Sequence, residues 1–89
     1  MYEEPELKKL YWHSRRGMLE LDLLLVPFAE NKLMDITEKQ LGLYERFLAE
    51  EDQDMFQWLV KRKEAPDSDL QEIVDLILAI NDEKNGQVS

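Results

Sequence analysis

The segment Arg15-Arg16-Gly17-Met18-Leu19-Glu20 sets two guanidinium groups, a glycine and a carboxylate within six residues, and it is the most informative stretch of the chain. An arginine presents a planar fork of N–H donors matched to carboxylates and carbonyls. A glycine has no Cβ, so another backbone can come close to it. A guanidinium on one side and a carboxylate on the other would hold a partner in one orientation, which is the chemistry of a docking surface rather than of a reaction centre. The same residues have a plainer reading. Arg16 and Glu20 stand four apart and can pair on one helical face for a few tenths of a kcal/mol, and Gly17 can simply mark the break between two helices. A glycine inside a helix would cost about 1 kcal/mol relative to alanine. The residues alone leave both readings open.

Other chemistries find little support. The 89 residues include no cysteine, which removes thiolate nucleophiles, disulfides and Cys-based metal sites, and fits a reducing compartment. The one histidine, His13, has no nucleophile elbow and no ligands at metal spacing around it, so it reads as a partly buried helix residue beside an aromatic. Its neighbour Trp12 suits either a core position or an interface anchor. Gly17, Gly42 and Gly86 stand too far apart for a phosphate loop. Glu50-Glu51-Asp52 reads as a solvated helix end, and Lys61-Arg62-Lys63 as cations at the negative end of a helix dipole. A formal charge of −9 opposes binding to phosphate backbones and anionic lipid surfaces. The longest apolar run, Leu23 to Ala29 with Pro27 inside it, is too short to span a bilayer, and the acidic start MYEEPELKK does not suit a signal or transit peptide. The expected location is the cytoplasm.

The elements that must carry these residues are helical. With 44% apolar and 35% charged residues the chain suits an ordered soluble domain, and its length suits one all-α domain over 1–89 with ends fraying at about 1–4 and 85–89. Five helices are predicted, packed as a compact bundle. The first spans Pro5 to Arg15, with proline at the first helical position and Leu7, Leu10 and Tyr11 as its stripe. The second spans Gly17 to Asn31. Leu21, Leu24, Leu25 and Phe28 form one face and Leu19, Leu23 and Val26 another, which predicts a central helix that Pro27 bends or terminates. The third spans Thr37 to Glu51, opened by a Thr37–Gln40 capping box, with Leu41, Tyr44, Phe47 and Leu48 inward. The fourth spans Asp54 to Lys63, capped by Asp52 or Asp54, with Met55, Phe56, Leu59 and Val60 inward and Trp58 off the main stripe. The fifth opens with a Ser68–Gln71 capping box, buries Leu70, Ile73, Val74, Ile77 and Ile80 or Asn81, and runs to about Lys84, with Gly86 ending it.

The string His13-Ser-Arg-Arg-Gly-Met-Leu-Glu-Leu-Asp22 resembles the bacterial SdhE family (also called YgfY or CptB), related to the mitochondrial succinate dehydrogenase assembly factor. The Arg-Gly-x-x-Glu motif of that family is matched by Arg16, Gly17 and Glu20. Pro27-Phe28 and Asp54-Met-Phe-Gln-Trp58-Leu59 are also typical, and the likeness extends from about Leu7 to Asn81. The clearest departure is Gln53, where relatives often carry proline. The resemblance implies a five-helix fold that is not an enzyme and holds no cofactor or metal of its own. It implies docking on the flavoprotein subunit of succinate dehydrogenase, and often of fumarate reductase, to promote covalent attachment of FAD to that partner. Carried over residue by residue, it implies an interface of Arg16, Gly17 and Glu20, surrounded by Trp12, Arg15, Met18, Asp22 and Phe28. The alternatives are an antitoxin-like protein that neutralises a membrane-associated toxin, and a small regulator of transcription, the second disfavoured by the charge.

Overall fold

In the computed structural model, which describes the backbone of residues 3–88 and the side chains of residues 3–82, the chain forms five helices. These are α1 (Glu4–His13), α2 (Leu19–Lys32), α3 (Glu38–Leu48), α4 (Asp52–Leu59) and α5 (Ser68–Val88), and no strand occurs among the described residues. The all-α bundle expected from periodicity is what forms. Helix α5 packs on α2, α3 and α4, while α1 packs on α2 and α3, and α4 also meets α2. The core lies between them. Leu10, Leu21, Leu25, Phe28, Tyr44, Phe47, Met55, Leu59, Leu70, Ile73, Val74 and Ile77 are all essentially sealed from solvent. Its centre is aromatic, with Phe28 and Tyr44 rings 5.0 Å apart and Phe47 against both Tyr44 and Trp58.

The stripes read from the sequence in α1, α3 and α5 are the buried ones. Helix α3 opens on the expected reciprocal cap: the Gln40 N–H donates to Thr37 Oγ1, and the Thr37 N–H to Gln40 Oε1. Elsewhere the boundaries differ, for local reasons. Glu3 and Glu6 form an unforeseen capping box, so α1 starts at Glu4 and Pro5 takes the second position. Helix α1 stops at His13 rather than Arg15, because Ser14 turns inward as the C-cap. Helix α4 has Glu51, not Asp52 or Asp54, at its N-cap position, with no side-chain capping hydrogen bond, and it ends at Leu59 rather than Lys63. There Arg62 takes a left-handed conformation (φ 58°), and the Lys63 N–H closes back on the Gln57 carbonyl. The basic triplet therefore lies just past the helix. The α5 cap is Asp67 rather than Ser68: Asp67 Oδ1 accepts from the Leu70 N–H, while Gln71 reaches back to the Ala65 N–H. Gly86 does not end α5, whose backbone continues to Val88. One glycine costs about 1 kcal/mol, which a helix already propagating can absorb. The fraying expected at Met1, Tyr2 and Ser89 concerns residues outside those described.

Helix α2 departs most from expectation. Pro27 does not terminate it, and five further residues follow to Lys32. The Leu23 carbonyl that proline leaves without a donor sits on an exposed residue, where water can supply the bond. Only one of the two apolar faces is buried. Leu21, Leu25, Phe28 and Ala29 enter the core, whereas Leu19 and Leu23 are 69% and 62% exposed. Trp58 and Val60 exchange their expected places, Trp58 being buried against Phe47 and Val60 part-exposed.

Candidate functional site: the turn between the first two helices

The Arg-Gly-x-x-Glu residues do not share a helix. Arg16 and Gly17 lie in the turn from Ser14 to Met18, and Glu20 lies in the first turn of α2. Gly17 has φ +80°, a left-handed backbone that side chains with a Cβ adopt at a cost of roughly 1–2 kcal/mol. A Cβ built there would meet nothing within 4 Å. The glycine thus satisfies the backbone, and its outer side is open to solvent rather than pressed against another helix. The idea of a glycine placed inside a helix is corrected by this geometry.

Arg16 turns inward, and it does not pair with Glu20. Its Nε–H donates to Asp52 Oδ1 at 2.8 Å, Nη1 donates to the carbonyls of His13 (2.9 Å) and Leu48 (3.0 Å), and Nη2 reaches the Glu50 carbonyl at 3.4 Å. His13 and Leu48 are the last residues of α1 and α3, whose carbonyls have no partner within their own helices. The dipoles of α1 and α3 favour a cation at their C-termini, and that of α4 favours the carboxylate of Asp52 in its first turn. The Arg16 side chain is only 20% exposed. Asp52 is accordingly not the solvated helix-end acid that its sequence context suggests.

Beneath the turn lies a polar floor. Ser14 is fully buried, and its Oγ donates to the Leu10 carbonyl at 2.8 Å. Having used its one proton, it accepts from the Tyr44 hydroxyl in the 2.5 Å contact between them. Burial pushes the Tyr44 phenol far above its ordinary value, against the smaller opposing pull of the Arg16 charge. Asp22 fastens the other side of the turn, its Oδ1 accepting from the Arg16 backbone N–H at 2.8 Å.

The carried-over residues therefore separate into two groups. Trp12, Arg15, Gly17 and Glu20 face solvent, Trp12 being 64% exposed, and the Glu20 carboxylate has no partner among the described residues. Arg16, Met18 and Asp22 are held within the turn, Met18 packing on the core. Phe28 is 1% exposed and packs at a tilt against Tyr44, so it cannot present its ring to a partner. His13 is exposed at the end of α1, not partly buried as expected, and no His/Asp/Glu group among the described residues is arranged to hold a metal ion. No helix among them is long and apolar enough to cross a membrane. The sequence reading missed Ser14, Tyr44 and Asp52 beneath the turn. It also missed the outward Leu19 and Leu23, although the apolar excess on two faces of α2 was a signal for them.

An FAD assembly factor SdhE from Pseudomonas savastanoi pv. phaseolicola is 53% identical over 78 residues, covering 88% of this chain and 93% of that protein. The SdhE of Pseudomonas aeruginosa is 50% identical with the same coverage, and that of Mannheimia succiniciproducens is 46% identical over 85 residues, covering 96% and 94%. The profile of the Sdh5 family, described as flavinator of succinate dehydrogenase, matches residues 8–81. With the match running from the middle of α1 to Asn81 within α5, the chain belongs to the flavinator of succinate dehydrogenase family.

Proposed function

We propose that this protein is a non-catalytic, cytoplasmic assembly factor that binds the flavoprotein subunit of succinate dehydrogenase and promotes covalent attachment of FAD to it, with the flavoprotein of fumarate reductase as a second client. The observation that carries the reading is the bare outer face of the α1–α2 turn. Gly17, Glu20, Arg15 and Trp12 point outward there, over a turn held from beneath by Arg16 and Asp22. A surface fixed before binding loses little conformational freedom when a large client settles on it. The attachment chemistry belongs to the flavin and the client's own residues. The factor contributes by holding the client's FAD-binding and capping domains in a reactive arrangement, which lowers the barrier through orientation.

The test is in-gel flavin fluorescence of the purified flavoprotein subunit incubated with FAD and the factor. Glu20→Ala removes an outward carboxylate with no internal partner, so it should abolish flavinylation and leave the helical signal intact. Gly17→Arg should do the same by covering the bare face. Full flavinylation with Glu20→Ala would refute the assignment of this surface.

A further inference from the structure

Resting on the docking reading above, we propose that Asp52, outside the motif, is a positioning residue: with Arg16 it sets the shape of the turn that presents Gly17 and Glu20, and Arg16 acts through this clamp rather than by touching the client. Four acceptors converge on one guanidinium whose side chain is four-fifths covered. Three of them come from the α3–α4 junction, namely the Leu48 and Glu50 carbonyls and the Asp52 carboxylate. The turn is thereby tied to a segment 36 residues away, and the Arg16 backbone N–H is tied to Asp22 on the opposite side. Between these two ties stands Gly17, whose left-handed conformation sets the direction in which α2, and with it Glu20, leaves the turn. A lysine would supply the charge but not the fork, since an ammonium cannot span an Nε-side carboxylate and two diverging carbonyls at once. Asp52 is 36% exposed, so its loss opens the acceptor side of the clamp to water without opening the core.

The experiment titrates the flavoprotein subunit, in the presence of FAD, with wild type, Asp52→Ala, Asp52→Asn, Arg16→Lys, Arg16→Lys/Asp52→Ala and Glu20→Ala. It records the half-saturating concentration and the plateau rate of flavinylation, corrected for the folded fraction from circular dichroism. Asp52→Ala should raise half-saturation about tenfold and leave the plateau unchanged. Asp52→Asn, which keeps an oxygen for the Nε–H, should have a smaller effect. The double variant should be no worse than Arg16→Lys alone, because both break one clamp. In ¹⁵N-labelled free protein, Asp52→Ala should move the Gly17 amide resonance and leave those of Ile73 and Ile77 in place. Wild-type half-saturation with Asp52→Ala, while Glu20→Ala still weakens docking, would overturn the inference. Multiplying effects in the double variant would do the same, since Arg16 would then act on the client by itself. A Glu20→Ala variant that docks normally would instead remove the docking reading on which the inference rests.

Discussion

The α1–α2 and α4–α5 junctions both reverse the chain on one left-handed residue, and they treat it in opposite ways. At the first, the residue is Gly17, and the neighbouring arginine is turned under the turn to bond carbonyls and a carboxylate from three helices or their ends. At the second, the left-handed residue is itself an arginine, Arg62, whose guanidinium lies on the surface 3.4 Å from Asp82 with both partners more than half exposed. Exposed pairs of that kind contribute little. The bundle thus tolerates a side chain on the left-handed residue of the α4–α5 junction. The glycine at the first junction, with empty space where a Cβ would go, matches a surface kept clear from outside. Polar bonding is directed inward where the outer face is bare, and outward where it is not.

Removing the inward clamp should have the largest effect on the free protein. Arg16→Ala leaves Asp52 and three carbonyls without their donor and should cost about 2–3 kcal/mol in thermal or urea melts. A loss no larger than that of a surface pair would break the comparison. Tyr44→Phe removes the donor beneath the turn and should cost about 1 kcal/mol at neutral pH. This site also carries a pH signature. The folded state holds the Tyr44 proton more tightly than the unfolded chain, whose tyrosines ionise near pH 10. Its contribution is therefore complete below about pH 10 and declines as pH rises further, at roughly 1.4 kcal/mol per pH unit. Melts between pH 9 and 11 should show that decline in wild type and a flatter profile in Tyr44→Phe.

The two left-handed residues separate the junctions more finely. Gly17→Ala should destabilise by about 1 kcal/mol from φ alone, because no clash accompanies it. A much larger loss would mean that the turn is packed from outside in a way its open surroundings do not allow. Arg62→Gly should be the mildest change, stabilising by a few tenths of a kcal/mol at most, since relief of the left-handed backbone is offset by the greater freedom glycine gives the unfolded chain. A differential melt against wild type checks the sign.

Much of this was legible in the order of residues. The Leu41, Tyr44, Phe47 and Leu48 stripe of α3, its Thr37–Gln40 cap and the break at Gly17 depend on neighbours within four positions, and local geometry decides them. The outward placement of Glu20 and Arg15 was expected from the motif, and Phe28 was misplaced for a related reason. A motif names residues near one another in the chain, but the pitch of α2 sends Phe28 to the core and Glu20 to solvent. Apolar character alone likewise does not decide which face of α2 finds neighbours, and Leu19 and Leu23 lie outward despite it.

The sequence by itself determined an acidic, cysteine-free, five-helix chain with a break between its first two helices near Gly17, because charge, composition and helical period are properties of short stretches. Only the tertiary structure decided that Arg16 points inward, that Asp52 and Tyr44 lie with it beneath the turn, and that Gly17 remains uncovered. The physical reason is distance along the chain. Asp52 follows Arg16 by 36 residues and Tyr44 follows Ser14 by 30, and such partners meet only after α3 has packed against α1 and α4 against α2.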